Sequence, residues 1–247
     1  MAFLKTKGII IKEVNTGEAD KVVTIFTESK GKISAYARGA RRPKNSLTAS
    51  TQFLCYSDFV FFSGKEMYSI NSCRLIEHFY NLRNDIIRLT YSAYFAEIIN
   101  DVVQENEPAM SLLKLFLNSL YLLAAGKHDP RFIARVFEMR LLVLSGYSPD
   151  VRGCMACSGT DLDNVSFSFE SCGFLCSNCS QTDKSSYKLS PAAARAIQYI
   201  AFSDSDSLFG FRVSESVLNE LEHVFGRYLS ERLEKKYTTL DFLKTIT

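Results

Sequence analysis

Val22-Val23-Thr24-Ile25-Phe26-Thr27-Glu28-Ser29-Lys30-Gly31-Lys32-Ile33-Ser34-Ala35-Tyr36-Ala37 decides how the front of the chain folds. Two β-branched and aromatic runs flank Ser29-Lys30-Gly31, which has the polar, glycine-ended character of a turn, so the stretch reads as two strands joined tightly. Upstream, Gly8-Ile9-Ile10-Ile11 is a further run, set off by Asn15-Thr16-Gly17. Downstream, Phe53 to Phe62 and Met67 to Ile76 are two more, parted by Ser63-Gly64-Lys65. Five strands within residues 2–76 predict a small closed barrel. The OB-fold is the commonest five-stranded form, and spacing alone leaves an SH3-like barrel open.

After residue 79 the apolar period changes from two to that of a helix. Tyr91, Phe95, Ile98 and Val102 share one helical face, and Pro108 ends that segment. Met110 to Ala125 is apolar nearly all round and is expected to be buried, with Gly126 as its stop. Asp129-Pro130 opens a third helix, the acid as N-cap and the proline in the first turn, running to Leu144 before Ser145-Gly146 and Pro149. Ser190-Pro191 opens a fourth, Ala192 to Ala201, and Ser214 to Leu233 a fifth. The fold class is therefore α+β and multidomain. Residues 1–78 are an OB-like barrel, residues 79–150 and 185–247 an α-helical domain, and residues 151–184 an insert within it.

That insert holds five of the seven cysteines. Cys154-x2-Cys157 is followed, eighteen residues on, by Cys176-x2-Cys179. Two such pairs present four soft thiolates to one ion, the donor set of a structural zinc. Val165-Ser166-Phe167-Ser168-Phe169 alternates like a ribbon strand, and Gly173 is expected to give the second pair room to turn. The loop carries too little apolar surface for a core of its own, so the metal would supply its folding energy. Competing readings are a reduced thiol cluster or a pair of disulfides; a thioredoxin-type role is weaker, since neither pair opens a helix after a strand. Four thiolates also fill the shell that a catalytic zinc leaves open. Cys172, four residues before Cys176, is a spare thiol near the site. Cys55 and Cys73 lie in strand patterns and read as small core residues.

The chain has 247 residues, 47% apolar and 23% charged, with a formal net charge of +2. Residues 1–80 hold 12 Lys/Arg against 7 Asp/Glu, and residues 81–247 hold 17 against 20, so a polyanion contact is expected near the front. Lys30, Lys32, Arg38, Arg41, Arg42 and Lys44 occur with no acid between Lys30 and Lys44. Such a loop can follow a phosphate backbone without reading sequence. Tyr36, Phe53, Tyr56 and Tyr68 could stack unpaired bases, although core or sheet-face roles suit them better. Catalysis is not expected: His78, His128 and His223 are scattered, and the phosphate-loop, dinucleotide and nucleophile-elbow patterns are missing. Arg131, Arg135 and Arg140 stand amid apolar residues on the third helix and could receive an acidic peptide, with a plain helix exterior as the simpler reading. The N-terminus lacks a signal-peptide core, and Leu115 to Ala125 is too short for a membrane span, so a cytoplasmic, reducing setting without membrane contact is expected.

Together these marks resemble the bacterial RecO recombinational DNA-repair proteins along nearly the whole chain. They are Gly17-Glu18-Ala19-Asp20-Lys21 leading into Val22 to Phe26, then Thr27-Glu28-Ser29-Lys30-Gly31-Lys32 and Arg38-Gly39-Ala40-Arg41-Arg42-Pro43-Lys44. Phe137-Glu138-Met139-Arg140-Leu141-Leu142, Gly146-Tyr147-Ser148-Pro149 and Cys154-x2-Cys157 complete the set. The resemblance implies binding of single- and double-stranded DNA, annealing of complementary strands, and help for RecA in loading onto DNA coated by single-stranded DNA-binding protein. It implies RecR as partner, RecF in some lineages, and nucleoid association. By matching positions, Lys30, Lys32, Arg38, Arg41, Arg42 and Lys44 would contact DNA. Arg131 and Arg135 would take the acidic tail of the single-stranded DNA-binding protein. Cys172-Gly173 departs from the Gly-Gly expected before the second cysteine pair. The alternative to this function is a zinc-stabilised adaptor that binds only proteins; a zinc-dependent nucleic-acid enzyme ranks last.

Overall fold

The computed structural model describes residues 3–64 and 67–245, so the Lys65 of the last turn signal lies outside the described residues. The chain divides into two compact units, Met1–Ala125 with Thr239–Thr247, and Gly126–Thr238.

In the first unit, β1 (Phe3–Thr16), β2 (Asp20–Thr27), β3 (Gly31–Ala37), β4 (Tyr56–Ser63) and β5 (Tyr68–Glu77) close a barrel in the order β1-β2-β3-β5-β4. β1 pairs with β2 on one side and β4 on the other, and a short parallel contact, Ala35 with Tyr68 and Tyr36 with Ser69, joins β3 to β5. This closure decides for the OB-like barrel. Alternation sets the inside: Ile10, Val23, Ile25, Ile33, Ala35, Phe59, Phe61 and Ile70 form one buried cluster. Leu47 joins it from α1 (Leu47–Ser50), a single turn absent from the sequence reading because four residues carry no period.

α2 (Tyr80–Arg83), α3 (Ile86–Val102) and α4 (Met110–Ala125) belong to this same unit. The sequence boundary at residue 79 marks the change of period, whereas the compact units part at Gly126, because α3 packs on β1 and the 103–107 segment lines up beside β3. Gly31 permits that approach: its φ is +54°, and a Cβ there would lie 1.9 Å from the Glu107 carbonyl oxygen. Asp85 caps α3 through the amides of Ile87 and Arg88, and Tyr91, Phe95 and Ile98 are buried as their spacing requires.

The second unit contains α5 (Pro130–Leu144), α6 (Pro191–Phe202) and α7 (Glu215–Arg232), with a three-stranded sheet β7-β6-β8. Asp129 and Ser190 are N-caps, accepting from the Arg131 and Ala193 amides at 2.8 and 3.2 Å. β6 (Val165–Ser168) pairs with β7 (Gly173–Cys176) and with β8 (Tyr187–Lys188). Val165, Phe167, Phe169, Phe174 and Leu175 are buried, and the Phe167 ring meets Tyr228 of α7 edge-on at 5.2 Å. The cysteine insert therefore shares its apolar surface with the helices. Among the described residues, no helix is long and apolar enough to cross a membrane.

Candidate nucleic-acid interface and metal centre

The six expected basic contacts do not form one cluster. β3 is seven residues long, so Lys30 at its start and Arg38 past its end stand roughly 25 Å apart. Lys32 is half-buried and donates from Nζ to the Asn100 carbonyl of α3 at 2.5 Å, satisfying a helix-end acceptor. Arg38, Arg41, Arg42 and Lys44 are all exposed and all lie on the segment between β3 and α1.

That segment is held from its own backbone and from β2. The amides of Arg42 and Asn45 donate to the carbonyls of Gly39 and Arg42, making successive tight turns. Gly39 has a φ of +65°, and a Cβ there would lie 2.8 Å from the Asn45 side-chain nitrogen. Ala40 is fully buried, anchoring the loop centre in the barrel core while Arg38, Arg41 and Arg42 face solvent. The Gly39 amide donates to Asp20 Oδ1 at 2.6 Å and the Tyr36 hydroxyl to Oδ2 at 2.9 Å. Those two donors, with Arg42 and Arg38 nearby, hold the Asp20 carboxyl below its usual range despite some loss of hydration. The Arg41 amide donates to the Ala19 carbonyl at 2.9 Å.

Of the aromatics considered for stacking, Tyr36 is half-buried on the outer face of β3 beside this loop. Tyr56 is half-buried with its hydroxyl on Glu28 at 2.8 Å, and Tyr68 packs against the core beside Phe61.

In the second unit the Sγ atoms of Cys154, Cys157, Cys176 and Cys179 all lie within 4.8 Å of one another, and those of Cys157 and Cys176 are 3.8 Å apart. A tetrahedron with metal–sulfur bonds of about 2.3 Å has edges of about 3.8 Å, so the donors fit a zinc-sized ion. None of the four is in a disulfide. Burial pushes the Cys154 thiol up, but amides of Cys176, Cys157 and Ala156 outweigh it and bring it to about 6. The Cys179 amide lowers Cys176. In Cys157, the lowering by the Gly159 amide is outweighed by thiols shared with Cys154 and Cys176, while Cys179, sharing chiefly with Cys176, rises to about 12. Each Cys-x2-Cys turn thus pairs one sulfur lowered from the ordinary thiol range with one raised above it.

Three details differ from expectation. Gly173 does not serve the second knuckle: a Cβ there would lie 2.2 Å from the Asp150 carbonyl oxygen, so it admits a neighbouring backbone. The second pair does stand between a strand and a helical turn, since a 3-10 turn, Cys179–Thr182, follows β7. Cys172 is outside the four-sulfur group; at a φ of +58°, its Sγ accepts from Arg232 Nη1 at 3.1 Å.

The helix arginines are committed elsewhere. Arg131 is bound to Glu215 at 2.6 Å, Glu222 at 2.9 Å and Asn219 at 2.5 Å. Arg135 is buried against Glu138 at 2.6 Å, and Arg140 donates to the Ala201 carbonyl closing α6 at 2.9 Å. One turn from Arg131, a cavity of about 200 Å³ has an apolar floor of Phe132, Phe211 and Leu218 and a rim that includes Lys127, His128 and Arg212. Glu215 and the capping Asp129 also reach that rim. The spacing of Lys127 and Arg212 hides this meeting, since they are far apart in the chain.

The family model described as "Recombination protein O N terminal" matches residues 1–79, and "Recombination protein O C terminal" matches residues 83–241. A curated relative, the DNA repair protein RecO of Acetivibrio thermocellus, is 58% identical over 246 residues, covering 100% of this chain and 98% of its own. The DNA repair protein RecO of Caldicellulosiruptor saccharolyticus is 36% identical, with 100% of both chains covered. That of Alkaliphilus metalliredigens is 32% identical over 98% of this chain and 99% of its own.

Proposed function

The chain belongs to the RecO family of DNA repair proteins, and from that membership we propose that it is a non-enzymatic mediator of recombinational repair. It binds single- and double-stranded DNA along the phosphate backbone, anneals complementary strands, and assists RecA in loading onto DNA coated by single-stranded DNA-binding protein. It acts in the cytoplasm at the nucleoid. The observation that carries this reading is the β3–α1 loop, an ordered segment that exposes four cationic side chains, Arg38, Arg41, Arg42 and Lys44, and no acid. Backbone charge is common to every sequence, which suits annealing of arbitrary strands. Lys30 makes an outlying contact at the other end of β3, and Lys32 serves the barrel's junction with α3 instead.

Single-strand affinity titrated against salt tests this. Four neutralised phosphates at roughly 0.7 each give a log–log slope near −3, and reversing both Arg41→Glu and Arg42→Glu should flatten it by about 1.4 or more. A wild-type slope shallower than about −1, or binding and annealing that survive the double reversal, overturns the loop as the DNA site. Binding only to proteins would then favour the adaptor.

One zinc held by Cys154, Cys157, Cys176 and Cys179 would brace the second unit without chemistry of its own, which the donor set and sulfur spacing support. RecR, and RecF in some lineages, are the protein partners. For the acidic tail of the single-stranded DNA-binding protein, the cavity floored by Phe132 and Phe211 and rimmed by Lys127 and Arg212 replaces Arg131 and Arg135 as the seat. The acids bound to Arg131 and the burial of Arg135 favour this cavity over those two cations as the seat.

A further inference from the structure

Asp20 is an acid embedded among the cations of the proposed DNA contact. Simple electrostatics makes it a liability: it subtracts one charge from a surface formed by Arg38, Arg41, Arg42 and Lys44, so deleting it should tighten binding. The geometry argues for the opposite outcome. Asp20 opens β2, whose next residues are paired with the end of β3, Lys21 with Ala37 and Val22 with Tyr36. It therefore stands on a fixed strand beside the point where the loop leaves the barrel.

From there one carboxylate makes two bonds in different directions. Oδ1 takes the amide of Gly39 at 2.6 Å, inside the tightest part of the turn, and Oδ2 takes the Tyr36 hydroxyl at 2.9 Å. The preceding residue, Ala19, binds the Arg41 amide through its carbonyl at 2.9 Å. An amide side chain could still accept from the Gly39 amide and donate to the Tyr36 oxygen, whereas an apolar one would leave both without that contact. We propose that Asp20 is a positioning residue for DNA binding, which holds the cationic loop in its binding-ready form and contributes more through order than it costs in charge. The physical basis is preorganisation: a loop ordered before binding does not lose that freedom when the phosphates arrive. This inference rests on the reading of the loop as the DNA site.

Asp20→Asn and Asp20→Ala test it, because they carry the same net charge and differ in geometry. Asparagine keeps an acceptor for the Gly39 amide; alanine keeps none. The expected order of single-strand affinity at low salt is Asp20→Asn equal to or tighter than wild type, and Asp20→Ala about fivefold or more weaker than Asp20→Asn. Limited trypsin digestion should cut after Arg38, Arg41 and Arg42 faster in Asp20→Ala than in Asp20→Asn. Equal affinity for the two variants, or tightening in both, overturns the proposal. If Asp20→Ala does not fold, Tyr36→Phe removes one of the two bonds alone. It should accelerate loop cleavage and weaken binding, and wild-type behaviour in both measurements overturns the proposal. The two readings fail differently. If wild type binds DNA but Arg41→Glu with Arg42→Glu changes nothing, the loop reading is wrong. If that double reversal abolishes binding while the Asp20 variants match each other, only the role of Asp20 is wrong.

Discussion

Arg131, Arg135 and Arg140 leave the same helix, α5, yet one ties down α7 through Glu215 and Glu222, one is buried with Glu138, and one closes the end of α6. In sequence they are alike, because which face of a helix is covered depends on partners far along the chain. Arg135 is the costly one. Its side chain is 5% exposed and that of Glu138 is 0% exposed, so removing either one breaks an ion pair made out of reach of water. Arg135→Ala is expected to destabilise the protein by about 3–5 kcal/mol in denaturant melts, while the salt slope of DNA binding stays at the wild-type value. A loss under about 1 kcal/mol would mean that the pair is not buried in solution. Lys32 teaches the same lesson: its place in a basic run was legible, but its bond to the Asn100 carbonyl depends on α3 folding back beside β3.

At the scale of elements, the Cys-x2-Cys turns were the most readable part of the chain, since a tetrahedral ion dictates ligand spacing locally. The fate of Cys172 was not readable. Its position beside Gly173 suggested a spare ligand, and only the approach of Arg232 on α7 shows where its sulfur is engaged. The protonation pattern gives a prediction here. Cys157 and Cys179 lie above the ordinary thiol range, so their protons must leave when a metal binds near neutral pH. Lowering the pH supplies competing protons, so zinc affinity should fall as pH falls and rise as pH rises. Calorimetry in buffers of different ionisation enthalpy should report proton release near pH 7. An enthalpy independent of the buffer would contradict this arrangement of thiols.

For the molecule as a whole, the four-cysteine group belongs to Gly126–Thr238 and the cationic loop to the unit containing Met1–Ala125, which gives the two properties separate handles. If the four cysteines hold an ion, stripping it with a chelator should lower the thermal midpoint of the Gly126–Thr238 unit, because such an ion would link Cys154 before β6 to Cys179 after β7. The DNA salt slope set by Arg38 to Lys44 should be unchanged, and a slope that collapses with chelation would place DNA contacts in the metal-bearing unit as well. The sequence by itself determined the five strands, the caps at Asp129 and Ser190, the cysteine quartet and the position of the basic loop. These are short-range matters of alternation, capping and ligand spacing, complete within a few residues. Only the tertiary structure decided that β1 closes on β4, that α3 and α4 join the barrel's unit, that Arg135 is inside, and that Asp20 binds the loop it opposes in charge. Each of those depends on which distant surfaces exclude water together, and local pattern does not carry that information.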